Sequence, residues 1–189
     1  MDDALHRPAR LSRIKRTAGA VGFEMSSSDQ TGALLSVLAA SKPSGNLLEI
    51  GTGLGAGVAW ILEGMNLDAH LTTIEINGGW AAMARSEFAG EERVEFVCAD
   101  AHAWLDAYTG PAFDLAFVDW RAGKFAQLDQ LIGLLAPGGI YIVDDLIPQA
   151  TWPEDHPERI ARFWDEWPRA DMVAVPIGWA SGLLIGAKS

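Results

Sequence analysis

Two groups of residues in this chain have the types and spacing to do chemistry. The first is Leu47-Leu48-Glu49-Ile50-Gly51-Thr52-Gly53-Leu54-Gly55-Ala56-Gly57, an apolar run carrying an acid and followed by glycines at alternate positions. Glycine lets the backbone take positive φ and lets a ligand approach the main chain. A hydrophobic helix pattern from Val58 to Met65 follows. Its start would offer unpaired N–H groups and the positive end of a helix dipole. Strand, tight turn and helix start together describe a site for a nucleotide-type cofactor. The second group is Asp119, Asp144 and Asp145. Clustered carboxylates repel one another unless protonated or bound to a cation. Hard ions such as Mg²⁺ or Ca²⁺ prefer such oxygen ligands, and no Cys-His cluster exists to hold zinc.

The elements that would position these residues follow from periodicity. Helical patterns cover roughly 3–19, 28–41, 58–65, 78–89, 101–107, 123–135 and 156–167, and Ser28 or Asp29 is placed to cap the second. Strand patterns cover Asn46–Ile50, His70–Ile76, Val94–Cys98, Phe113–Val118, Ile140–Val143, Met172–Val175 and Leu183–Ala187. Alternating strands and helices imply right-handed parallel crossovers. The last two strands have no helix between them and should pair antiparallel. The expected fold is α/β: a doubly wound, seven-stranded, mostly parallel sheet with a C-terminal antiparallel hairpin. One domain should span 1–189, with an N-terminal helical extension over about 1–42.

Ligands of an open α/β sheet sit beyond the carboxyl ends of its strands. Strand 2 ends at Glu75-Ile76, where an acid can bind a ribose diol. Strand 3 ends near Asp100-Ala101, and Asp100 is also placed to cap the next helix. Asp119 and Trp120 follow strand 4, and Asp144 and Asp145 follow strand 5. Beyond them, Leu146 to Pro157 contains three prolines and Trp152 and reads as a substrate lid or pocket wall. Trp120, Trp152 and Trp179 fall on loops, where aromatic walls suit a planar or apolar acceptor. The other tryptophans, including Trp80, fall on helix patterns and read as packing, while His102 and His156 are isolated and read as poor candidates for catalysis.

Composition narrows the partners. The formal charge is −11, with 14 basic against 25 acidic residues, which disfavours a nucleic-acid substrate. The exception is a basic stretch, Arg7, Arg10, Arg13, Lys15 and Arg16, interleaved with Leu5, Leu11 and Ile14. It reads as an amphipathic helix that could dock on its own domain or on a second copy, making a homodimer. No apolar run is long enough to span a bilayer, and the charged first residues lack the apolar core of a signal peptide. Cys98 is the single cysteine, and it reads as a core thiol at a strand end. A cytoplasmic protein with a small-molecule substrate is expected.

Gly51-x-Gly53-x-x-Ala56 also fits a dinucleotide fingerprint. Glu49 argues against it, since a carboxylate would face a pyrophosphate of like charge, whereas a cofactor with a cationic amino-acid moiety would welcome it. Leu48-Glu49-Ile50-Gly51-Thr52-Gly53-Leu54-Gly55 resembles motif I of class I S-adenosylmethionine (SAM) methyltransferases. Their usual strand order is 3-2-1-4-5-7-6. More narrowly, the chain is similar to the cation-dependent small-molecule O-methyltransferases of the catechol and caffeoyl-CoA type over roughly 23–189. That resemblance implies SAM bound by Glu49, Gly51, Thr52, Gly53, Gly57, Glu75, Ile76, Asp100, Ala101 and Asp119. It implies Mg²⁺ or Ca²⁺ on Asp119, Asp144 and Asp145, with Asp145 standing where the family has Asn. Phe23 to Leu35 resembles the family segment that closes over the cofactor's methionine end. Asp119 and Lys124 are the catalytic candidates, although the family's lysine lies about three residues after its Asp and Lys124 lies five after Asp119. Trp120 and Trp152 would line the substrate. The alternatives are an NAD-dependent oxidoreductase and a non-catalytic SAM-binding protein.

Overall fold

The computed structural model describes residues 5–149, 152–167 and 169–189. Seven strands form one sheet: β1 (Asn46–Ile50), β2 (His70–Glu75), β3 (Val94–Cys98), β4 (Phe113–Val118), β5 (Leu135–Val143), β6 (Met172–Ile177) and β7 (Leu183–Lys188). Their order is β3-β2-β1-β4-β5-β7-β6. The first five run parallel, and β7 pairs antiparallel with both β5 and β6. This is the expected fold class. Chain order reverses between β1 and β4, so the crevice where an α/β sheet takes its ligand opens at their carboxyl ends.

Among the described residues, seven helices connect and flank the sheet: α1 (Leu11–Val21), α2 (Asp29–Ala40), α3 (Ala56–Gly64), α4 (Gly78–Glu87), α5 (Ala101–Ala107), α6 (Leu128–Leu134) and α7 (His156–Glu166). Alternation along β1 divides the core between the two faces of the sheet. Leu47 joins one apolar cluster with Trp60 of α3, while Leu48 and Ile50 join the other with Leu131 of α6. Ser28 caps α2, its hydroxyl accepting the Thr31 N–H at 3.0 Å. Among the described residues no helix is long and apolar enough to cross a membrane.

Four expectations change. Helix α1 starts only at Leu11, whose N–H is taken by the carbonyl of Pro8, and residues 3 and 4 of the expected span lie outside the described residues. Its apolar face docks on its own domain: Leu11, Ile14 and Ala18 are buried in the same cluster as Trp60. The basic residues beside it meet acids of the same chain, with Arg7 and Lys15 on Asp29 and Arg13 on Glu87. Strand β5 begins earlier than expected, since Pro137-Gly138-Gly139 lies inside an irregularity where pairing jumps from Phe113↔Leu135 to Leu115↔Ile140. Cys98 is exposed rather than a core thiol, because β3 is an edge strand.

The fourth change matters most for the site. The expected helix over 123–135 is confined to Leu128–Leu134. Residues 122–126 instead make a tight turn, with an Ala122↔Ala126 bridge and Gly123 N–H donating to the Ala126 carbonyl at 2.8 Å. Gly123 has φ +79, a conformation that other residues rarely adopt. The buried Tyr141 hydroxyl of β5 donates to the Gly123 carbonyl at 2.8 Å and fixes the turn to the sheet.

Candidate active site

One cavity of about 420 Å³ lies over the carboxyl ends of β1, β2, β4 and β5. One end is the glycine turn. Gly51, Thr52, Gly53 and Gly57 line it, with Glu75, Ile76 and Ala101 beside them. Gly51 has φ +103, and a Cβ there would come within 2.9 Å of the Asp119 backbone oxygen. Glu75 is held by two main-chain donors, Gly53 N–H on one oxygen and Asn77 N–H on the other, each at 2.8 Å. The carboxylate is thus fixed at the lip of the turn. Phe23, Met25, Ser26 and Ser27 form a wall over this end, as expected for the segment from Phe23. Phe23 meets Trp80 edge to face, with ring centroids 4.9 Å apart. Trp80 also lines the cavity, so it is more than a packing residue.

Two expected cofactor residues stand elsewhere. Glu49 is buried to 1% exposure behind Gly57 and does not line the cavity. A Cβ at Gly57 would lie 2.0 Å from Glu49 Oε1, so that glycine makes room for the acid. Thr73 donates to Glu49 Oε2 at 2.5 Å, while Oε1 has no hydrogen-bond partner among the described residues. Asp100 is exposed and spends Oδ1 on the His102 and Ala103 N–H groups as the cap of α5, leaving Ala99 and Ala101 to line the cavity.

Burial pushes the Glu49 carboxyl up to about 8, with Asp119 and Glu75 adding like charge. The folded chain therefore holds this proton more tightly than the unfolded chain does. Its contribution to stability is full below pH 4.5 and is lost as pH rises through about 8. Glu49→Gln keeps the shape and removes the titration. The thermal midpoint of this variant should gain on the wild type by at least about 2–4 °C between pH 5 and pH 8.5, the shift expected for each kcal/mol in a chain of this size. A gap that stays constant with pH would refute the assignment.

The other end of the cavity holds Asp119, Lys124, Asp144 and Asp145 together with Trp120, Trp152, His156 and Ser181. The Gly123 turn carries Lys124 inward, where it is only 2% exposed and donates to the Asp144 backbone oxygen at 3.0 Å. Burial lowers the Lys124 pKa, opposed by the charges of Asp119, Asp145 and Asp144. Burial and the charge of Asp144 push Asp119 up to about 8. Burial also raises Asp144.

The side chains do not present the three-carboxylate ion site expected from the family. Asp145 has φ +67, tolerable for Asp, and its carboxylate turns toward Trp152 and His156. There Oδ1 accepts the Trp152 indole N–H at 2.5 Å, and Oδ2 lies 3.4 Å from His156 Nε2. Asp144 Oδ1 accepts Ser181 Oγ at 2.5 Å and the Asp145 N–H at 2.7 Å. Asp119 Oδ2 accepts Ser27 Oγ at 3.1 Å. Among the described residues no three His, Cys, Asp or Glu side chains gather so as to hold a metal.

His156 is the residue the sequence reading set aside. It is buried, packs at a tilt against Trp152 with centroids 4.2 Å apart, and meets Phe125 edge to face. Burial lowers its pKa, which favours the neutral ring. The usable signal was its four-residue spacing from Trp152 in a proline-rich tract, of which Ala150 and Thr151 lie outside the described residues. Trp179 and His102 do not line the cavity.

A methyltransferase-domain family model matches residues 48–146, from the strand before the glycine turn through the acid pair. The chain belongs to that family. A protein of Mycobacterium avium (strain 104), provisionally named an O-methyltransferase, is 34% identical over 149 residues, or 75% of this chain and 64% of that protein. The chain thus spans under two thirds of that relative. A protein of Mycobacterium sp. (strain JLS) with the same provisional name is 31% identical over 200 residues, covering 99% of this chain and 87% of its own length. Among solved structures, an O-methyltransferase from Bacillus cereus in complex with S-adenosylhomocysteine (SAH) superposes with a TM-score of 0.83 at 22% identity, covering 100% of this chain and 94% of the other. The O-methyltransferase TomG of Streptomyces achromogenes, involved in tomaymycin synthesis and solved with SAM, gives a TM-score of 0.84 at 24% identity, covering 98% and 92%. The fold is therefore that of the class I methyltransferases. The dinucleotide alternative finds no support among these relatives.

Proposed function

We propose that this protein is a SAM-dependent methyltransferase acting on a hydroxyl oxygen of a small molecule. The observation that carries the reading is a single cavity joining the glycine turn and Glu75 at one end to Asp119 and Lys124 at the other. The residues present fit the cofactor. Gly51 and Gly53 take the positive φ that such a turn needs, and Glu75 stands at the lip, where it would accept a ribose diol. Phe23 and Met25 would cover it, and Ile76 and Ala101 line the cavity where its base would lie. When bound, SAM supplies the methyl group: its S–C bond breaks as the acceptor's O–C bond forms, and the electron pair stays on sulfur.

The chain's own residues then align the acceptor and take its proton. Asp119 is assigned as the general base, because a carboxyl pushed up to about 8 is matched to proton transfer near neutral pH. Lys124 holds the acceptor oxygen with N–H groups not used on Asp144. Trp120 and Trp152 wall the acceptor. The relatives named as O-methyltransferases support oxygen as the target. The chain's charge of −11 supports a small-molecule acceptor over a nucleic acid. The test supplies methyl-labelled SAM with a panel of catechol-like acceptors and reads products by mass spectrometry. Labelled methyl ethers, one SAH per ether, are expected. Label on nitrogen or carbon alone would overturn the oxygen assignment.

A further inference from the structure

We infer that the Lys124 ammonium is the built-in cation of this site, occupying the role that a divalent ion fills in the cation-dependent relatives, so that this enzyme works without one. The inference rests on the methyltransferase reading of the same cavity. Three features of the site converge on it.

Lys124 is only 2% exposed, and its Nζ is fixed at 3.0 Å from the Asp144 backbone oxygen, inside the cavity rather than at its rim. Asp119, Asp144 and Asp145 line the same end of the cavity. The device that brings it there is specific: the Gly123 turn, pinned to β5 by Tyr141, carries a lysine that stands two positions later than the family's spacing.

Asp145 and Asp144, in turn, each spend carboxylate oxygen on protein donors. Asp145 serves Trp152 and faces His156, and Asp144 serves Ser181 and the Asp145 N–H. An ammonium keeps three N–H donors, so one bond to Asp144 leaves two to face an acceptor oxygen. Hydrogen bonding to a fixed positive charge stabilises an oxyanion as a Lewis acid would.

The test needs no acceptor and so stands apart from the assay of methyl transfer. Mn²⁺ uptake is followed by the loss of its free electron-paramagnetic-resonance signal, with the intact protein, with and without SAM. The wild type should leave the signal unchanged. Lys124→Ala, and independently Lys124→Met, should take up one Mn²⁺ at least tenfold more tightly than wild type, and adding Asp144→Ala should abolish that uptake. Circular dichroism checks that the variants fold. Stoichiometric Mn²⁺ uptake by the wild type would overturn the inference. So would a folded Lys124 variant as blind to Mn²⁺ as the wild type, or uptake that survives Asp144→Ala. Failure of SAM to bind, read by calorimetry, would instead count against the methyltransferase reading.

Discussion

Replacing Asp119 by Asn should lower kcat by about 10²- to 10⁴-fold, the usual contribution of a positioned acid or base. Affinity for SAM should stay nearly unchanged. Asparagine matches the shape, and its amide oxygen can still accept the Ser27 hydroxyl, which holds Asp119 Oδ2 at 3.1 Å. What it lacks is the capacity to take a proton. Burial and Asp144 hold the Asp119 carboxyl up near 8, so the wild type carries a protonated, inactive base at low pH. Activity should therefore rise as pH increases through about 8, and this limb should vanish in the variant. A variant retaining wild-type kcat and the same pH limb would remove Asp119 from proton transfer and leave it as a wall of the glycine turn.

The second large effect concerns the cofactor end. Glu75→Ala should weaken SAM binding by about 1.5–3 kcal/mol, the range for hydrogen bonds to a charged group, or roughly 10- to 150-fold in Kd. Two roles combine in this loss. The carboxylate is the expected partner of the ribose diol, and it also anchors the turn by accepting the Gly53 and Asn77 N–H groups at 2.8 Å. Glu75→Gln separates them. It keeps one acceptor oxygen for the turn but loses the charge, so its affinity should fall between wild type and alanine. Calorimetric titration of the three proteins with SAH reads both steps. Equal affinity in all three would show that Glu75 serves neither the ligand nor the turn.

The sheet was legible because its strands carry local signals. In β1 the apolar residues alternate between two cores, and the short β6–β7 connection leaves no length for a crossover. The glycine turn was legible because Gly51 needs a backbone conformation that few residues supply. What escaped is set by distant partners. The turn that delivers Lys124 depends on a Tyr141 hydroxyl from β5, and Lys124-Phe125 alone continues a helical pattern. Asp145 resembled an ion ligand until Trp152 and His156 were seen to claim its carboxylate. Glu49 was placed at the cofactor by its position before the glycines. Only the pleat of β1, which directs it beneath Gly57, places it one layer below the cavity wall.

The most direct measurement of the whole account is a calorimetric titration of the intact protein with SAM, repeated with NAD. One SAM per chain, displaced by SAH and weakened in Glu75→Ala, is the predicted result, with no saturable heat from NAD. Saturation by NAD without binding of SAM or SAH would contradict the reading of the glycine turn and, with it, the assignment of methyl transfer to this cavity.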